Sequence, residues 1–186
     1  MPFRYPALAR ILERIKGRET AGYSYDTAQA SFELMALEEL GQLPKFFDVE
    51  RYKVTVERRK SARGDMVTVS EAVVVVQIGD ERMLSVSESI DDRGNDRGPV
   101  NALSNALAKD LGPYQTSIDD MRLVDFKVRI TDGGTEAVTR VIIDSEDSQG
   151  NRWSTVGVSP NIVDASFEAL LEAITWKLVH DKVRAA

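Results

Sequence analysis

This chain has one imidazole and no thiol to work with: His180 is its single histidine, and it has no cysteine. A Ser/His/Asp relay would rest on that one base, which falls near the end of a helical pattern, where a cation suits the helix dipole. The sequence contains no His-x-x-x-His pair, no phosphate-binding loop and no G-x-G-x-x-G turn. Without cysteine, a disulfide, a zinc–thiolate site and a cysteine nucleophile are excluded, and a reducing cytoplasmic location is expected. The stretch Asp91-Asp92-Arg93-Gly94-Asn95-Asp96-Arg97-Gly98 is rich in carboxylates. It lacks the ligand spacing of a calcium loop and reads as a solvated loop. The expectation is a chain that is not itself an enzyme and holds no metal or cofactor.

What the residues do offer is anion recognition. Gly98-Pro99-Val100 opens one helical pattern and Pro160-Asn161-Ile162 opens another. Backbone N–H groups at a helix start bind carboxylates, and glycine lets a ligand come close to the backbone. Two related starts of this kind suit a small amino-acid effector.

The elements that must position those starts can be read from periodicity. Leu8, Ile11, Leu12 and Ile15 form one helical stripe that stops at Ala21-Gly22. Asp26 or Thr27 is the expected cap of a second helix, with Phe32 and Met35 on its apolar face and Gly41 and Pro44 at its end. From Phe46 the period changes to two: Tyr52, Val54 and Val56 alternate with polar residues. Further strands are predicted over Met66–Ile78 and Arg82–Ser89, and a helix over Pro99–Leu111 with Gly112 just past its end. Strands follow over Met121–Thr131, Ala137–Ser145 and Arg152–Val158, with a turn at Gly133-Gly134, and a last helix runs from Ile162 to about Val183.

The order repeats residue by residue. Tyr52-Lys53-Val54 matches Phe126-Lys127-Val128, and Val56 matches Ile130. Glu71-Ala72-Val73 is matched to Glu136-Ala137-Val138, Arg82 and Val86 to Arg152 and Val156, and Val100-Asn101-Ala102 to Val163-Asp164-Ala165. The predicted fold is α+β: a helical hairpin over residues 1–44, then a domain over 45–186 made of two pseudo-symmetric βββα units, about 46–112 and about 121–183. Helices cover one face of each set of antiparallel strands, and an uncovered face or edge is a natural homodimer surface.

Bulk properties fit. At 186 residues, 42% hydrophobic and 29% charged, the chain can bury an ordinary core. A formal net charge of -6 argues against nucleic acid as a partner. The basic run Arg58-Arg59-Lys60 reads as a solvated strand end. Met1-Pro2-Phe3-Arg4-Tyr5-Pro6 lacks the apolar run of a signal peptide, and Ala72–Val76 is too short to cross a membrane. Neither nucleic acid nor membrane is expected as a partner.

Several segments resemble one known family. Gly98-Pro99-Val100-Asn101-Ala102-Leu103 is similar to the G-P-V-x-A-L signature of the regulatory domain shared by citramalate synthases and 2-isopropylmalate synthases. Val124-Asp125-Phe126-Lys127-Val128-Arg129-Ile130 resembles its D-Y-K-V-R-I strand, with Phe126 in place of the usual tyrosine. The segment from Trp153 to Ser166 resembles its W-x-T-V-G-V-S-x-N-I-I-x-A-S run. Gly22-Tyr23-Ser24-Tyr25-Asp26 and Ala30-Ser31-Phe32-Glu33-Leu34 resemble the linker of the citramalate branch.

The resemblance implies a linker over residues 1–44 and an allosteric, dimerising regulatory domain over 45–186. It also implies a parent acyltransferase whose catalytic barrel, with its divalent metal, is a separate partner domain. The implied effector is isoleucine, acting by feedback inhibition. The alternatives are leucine, in a 2-isopropylmalate synthase, or a stand-alone dimerisation module without an effector. Carried over on matching motifs, the effector residues are Gly98, Pro99 and Val100; Leu123, Phe126 and Ile130; and Val141, Pro160 and Ile162. The isoleucine carboxylate is expected at Gly98-Pro99-Val100, with its side chain against Leu123, Phe126 and Ile130.

Overall fold

The computed structural model describes residues 6–91, 98–131 and 137–185. The carboxylate loop from Asp92 to Arg97 and the Gly133-Gly134 turn lie outside the described residues. Helix α1 (Pro6–Thr20) begins on proline, which needs no N–H at a helix start. It ends where Gly22 takes φ +106°, with Gly22 N–H donating to the Glu19 carbonyl and Tyr23 N–H to that of Arg18. The predicted stripe is only half used. Ile11 and Ile15 pack on the core, while Leu8 and Leu12 are exposed.

Helix α2 (Gln29–Glu39) starts later than the cap expected from sequence. Its N-cap is Ala28, and neither Asp26 nor Thr27 bonds to it as a cap. The buried Tyr25 decides this: Ala28 N–H closes a turn onto the Tyr25 carbonyl at 3.2 Å, which leaves Asp26 and Thr27 in the bend. Leu34 and Met35 form the buried face of α2, whereas Phe32, expected there, is 39% exposed.

Strands β1 (Asp48–Lys60), β2 (Met66–Ile78) and β3 (Glu81–Asp91) form one antiparallel sheet in that order. Arg58, Arg59 and Lys60 lie at an exposed strand end. Helix α3 (Pro99–Ala108) stops one turn short of the predicted end. The stretch after it carried no prediction. It forms a 3-10 turn (Gly112–Tyr114) and a short helix α4 (Gln115–Ile118), which bury Tyr114 and Ile118. Strands β4 (Arg122–Ile130), β5 (Thr139–Glu146) and β6 (Arg152–Ser159) form a second antiparallel sheet, followed by α5 (Ile162–His180).

The α+β class and the two βββα units are as predicted. The repeat extends to a detail of register: β1 bulges between Val49 and Arg51, and β4 bulges at the matching place, between Leu123 and Asp125. One match is corrected. Val54 pairs with Ala72, but Val128 pairs with Val141, so the counterpart of Ala72 is Val141 and not Ala137. Backbone pairing, not residue likeness, sets the register. Ala137 and Val138 precede β5, where Val138 offers its carbonyl to Thr131 N–H at 2.9 Å.

Two compact units result. One takes the chain up to Pro44 together with Asp120–Val183, and the other takes Lys45–Asp119. In the first, α5 packs on the sheet through small residues. A Cβ on Gly157 would stand 1.9 Å from the Ala165 carbonyl oxygen. One and two turns further along α5, Thr155 Oγ1 donates to the Ala169 carbonyl at 2.7 Å and Trp153 Nε1 to that of Ala173 at 3.1 Å. In the second, Ala102, Leu103, Ala106 and Leu107 are the buried face of α3.

The α1–α2 hairpin is fastened to α5 and to the edge of β6. Ser31 Oγ accepts from Val156 N–H at 2.9 Å and donates to Glu172. Glu168 accepts from Val158 N–H at 2.9 Å and from the Tyr23 hydroxyl at 2.6 Å, with Arg18 3.4 Å away. Burial pushes the Glu172 carboxyl up to about 7; the Ser31 bond opposes this and the Glu168 charge adds to it. Burial also raises the Tyr23 hydroxyl, which therefore acts as a donor at neutral pH.

Two measurements check this packing. Gly157→Ala forces the α5 backbone away from β6 and is expected to cost about 3 kcal/mol of stability, read by denaturant melts. Glu172 gives a pH dependence. Its folded value lies above the ordinary 4.5, so its contribution is fully present below 4.5 and is lost as pH rises towards 7. Melts across this window should show a loss of about 3 kcal/mol that Glu172→Gln abolishes. An equal slope in the variant would overturn the assignment. Asp147, held down to about 2 by Asn151, loses its contribution below this window.

Candidate functional site

The two helix starts are built on equivalent positions and end up chemically different. The match of Val100 with Val163 makes Gly98 the counterpart of Asn161, and each is the N-cap of its helix. The Asn161 side chain accepts from Val163 N–H at 2.9 Å, and Asp164 adds a negative charge in the first turn of α5. That start supplies its own anion. Gly98 has no side chain to offer, no acidic residue lies in the first turn of α3, and Pro99 brings no N–H. Among the described residues no side chain caps the α3 start, and the Val100 N–H has no helical acceptor behind it. Gly98 has φ -84°, and a Cβ there meets nothing within 4 Å, so the glycine leaves room that folding does not use.

The other predicted residues fall in the unit that contains β4–β6. Cross-strand partners share a sheet face, so Phe126 (beside Ile143 and Thr155) and Val141 (between Val128 and Gly157) lie on the side covered by α5. Ile130 belongs to the same face, in the row Ile130–Thr139–Ser159. Ser159, at the β6 end of that row, leads into Pro160 and Ile162 at the α5 start. Ile130 is 69% and Ile162 44% exposed, whereas Val141 is fully buried. Leu123 pairs with Ser145, in register with Trp153, at the opposite end of the sheet. At about 3.3 Å per residue it lies roughly 20 Å from Ile130, too far for one small amino acid to touch both.

Residues 19–178 match the LeuA allosteric (dimerisation) domain. The chain belongs to that family. It is 42% identical over 180 residues to an (R)-citramalate synthase of Geobacter sulfurreducens, covering 96% of this chain and 32% of that protein. It is 40% identical to the (R)-citramalate synthase of Streptomyces coelicolor, covering 96% of this chain and 32% of that protein. A 2-isopropylmalate synthase of Pseudoalteromonas atlantica is 28% identical, over 90% of this chain and 31% of its own length. The chain thus spans about a third of the length of these relatives.

In the other unit of this LeuA-family domain, the row equivalent to Ile130–Thr139–Ser159 is Val56–Ser70–Ser89. Val56 pairs with Ser70 and Ser70 with Ser89, on the α3 side of the first sheet; the next row towards its end is Arg58–Thr68–Asp91. Val56 is 56% exposed and Ser70 1%. A cleft of about 330 Å³ between α2, β6 and α5 contains none of the predicted residues. Among the described residues, no group of three or more His, Asp or Glu is placed to hold a metal, and no helix is long and apolar enough to cross a membrane.

The contrast between the two starts is testable without ligand. Asn161→Ala removes a working cap and should cost about 1 kcal/mol. Gly98→Val should leave the melting temperature nearly unchanged. A large loss for Gly98→Val in thermal melts would show that the space beside it is not free.

Proposed function

We propose that this domain senses a branched-chain amino acid, isoleucine, and passes feedback inhibition to a citramalate synthase-type acyltransferase. The observation that carries this reading is the uncapped glycine start of α3, which offers N–H groups and the positive end of a helix dipole to a carboxylate. The effector carboxylate sits at Gly98-Pro99-Val100. Higher identity to citramalate synthases than to the 2-isopropylmalate synthase favours isoleucine over leucine. The parent protein condenses an acyl-CoA with a 2-oxo acid in a separate catalytic barrel that binds a divalent metal. That barrel is one partner of this domain, and a second copy of the chain is the other. On β3, Leu84, Val86 and Ile90 are exposed on the face opposite α3 and supply apolar surface for that second copy.

Light scattering at micromolar concentration should give about twice the 20.7 kDa chain mass. Calorimetry should show isoleucine binding, with leucine weaker by about 10–200-fold, and Gly98→Val should weaken isoleucine by about tenfold or more. Tighter binding of leucine would move the reading to the 2-isopropylmalate branch. No heat from either amino acid with a folded dimer would leave a dimerisation module alone.

A further inference from the structure

The α1–α2 hairpin meets α5 and β6 through a group of side chains whose charges balance only when one carboxyl keeps its proton. Ser31 Oγ accepts from Val156 N–H at 2.9 Å and donates to Glu172. Glu168 accepts from Val158 N–H at 2.9 Å and from the Tyr23 hydroxyl at 2.6 Å. β6 is the last strand of its sheet, so side chains and not a further strand close this edge. The Glu172 side chain is only 20% exposed.

Arg18 of α1 serves both carboxylates, at 3.4 Å from Glu168 and 3.8 Å from Glu172. It also donates to the Tyr25 hydroxyl at 3.3 Å and lies over the Tyr23 ring, 4.4 Å from its centre. Burial raises both tyrosine hydroxyls, which keep their protons at neutral pH. From α2, Glu38 faces the group, but Arg14 already pairs with it and, at 2.7 Å, with Glu39. β6 contributes its main-chain N–H groups. One guanidinium thus stands against two carboxylates. With a proton on Glu172 the group is neutral; without it, one uncompensated negative charge is held away from water.

We propose that this group is a proton-dependent clasp between the hairpin and the α5–β6 edge. With Glu172 protonated the clasp is balanced and closed. Loss of that proton favours a state in which the Ser31–Val156 and Glu168–Val158 bonds are open and Glu172 reaches water. The apolar contacts of Tyr25, Ala28 and Met35 with Ile142 and Val156 hold no charge, so they keep the hairpin docked while its α5 side opens. The folded value of Glu172, about 7, lies above the ordinary 4.5, so closure is favoured most below 4.5 and is lost as pH rises through 7. The device sets how firmly the hairpin is joined to the domain, and it needs no effector.

The test is amide hydrogen exchange, read by NMR on the whole chain at about pH 5 and about pH 8 and corrected for the intrinsic rate. The Val156 and Val158 amides should be less protected than those that join β6 to β5, and should lose protection on the order of 50-fold between the two conditions. Glu172→Gln holds the neutral form, so this loss should vanish. Ser31→Ala should unprotect Val156 at both pH values while Val158 keeps its loss. Both tryptophans of the chain lie beside the hairpin, Trp153 packed on Ala30 and Trp176 donating to Glu33 at 2.7 Å, and their emission should stay constant. Equal protection of Val156, Val158 and the β5–β6 amides would mean that this edge opens only with the whole unit, which overturns the clasp. A loss that persists in Glu172→Gln, or full protection of Val156 in Ser31→Ala, overturns it as well. Tryptophan emission that shifts in step with exchange would mean that the hairpin leaves as a body, and it refutes a clasp confined to the α5 side.

Discussion

Helix α5 can lie where it does only because its backbone comes into contact with β6 at Gly157. Any Cβ there would overlap the Ala165 carbonyl. That closeness carries along the strand: Thr155 and Trp153 reach main-chain carbonyls of the helix, which in an ordinary side-chain-separated packing would be out of range. It also fixes which turns of α5 face the hairpin. Glu168 and Glu172 stand one turn apart on the helix and meet Tyr23, Arg18 and Ser31. Burying Glu172 is costly for a carboxylate. The cost is tolerated because Ser31 ties the side chain to the β6 backbone at the same time.

The two βββα units share strand pairing, bulge position and the small-residue helix face, so their differences carry information that their similarities cannot. Both place an exposed β-branched residue, Val56 or Ile130, near the start of their helix. Only the second unit closes that start with its own asparagine. A helix start without a side-chain cap is the less stable arrangement, by about 1 kcal/mol.

The sequence made the α+β class, the repeat, most strand and helix boundaries and the exposed basic strand end at Arg58-Arg59-Lys60 legible, because periodicity and turn residues are local signals. What it missed was set by tertiary contact. Asp26 and Thr27 have the chemistry of caps, yet the burial of Tyr25 chooses where α2 begins. Phe32 has the spacing of a core residue and is exposed, because α2 turns Leu34 and Met35 inward. The second-strand match went astray because Glu136-Ala137-Val138 resembles Glu71-Ala72-Val73 in composition, while pairing aligns Ala72 with Val141. Of the candidate site, Gly98 and its helix start were readable. The separation of Leu123 from Ile130 was not, since it depends on strand register.

The sheet edges limit how such a domain can meet a second copy. An open strand edge invites pairing through main-chain hydrogen bonds, and proteins block it with bulges, charges or covering groups. In the unit built on β4–β6, Ser31 and Glu168 take the outward N–H groups of Val156 and Val158, so β6 has little left to pair with. The opposite edge, β4, carries a bulge and the ion pairs of Lys127 with Asp125 and Asp144. In the other unit β1 has the matching bulge and exposed Arg51 and Lys53, while on β3 the Lys109 ammonium donates to the Val86 carbonyl at 2.8 Å. Each edge is thus obstructed, by bulges and charges on β1 and β4 and by covering groups on β3 and β6, whereas Leu84 and Ile90 lie uncovered on a sheet face. Association through side-chain packing of faces is what this distribution favours, and it keeps dimerisation from competing with the main-chain pairing that sets strand register.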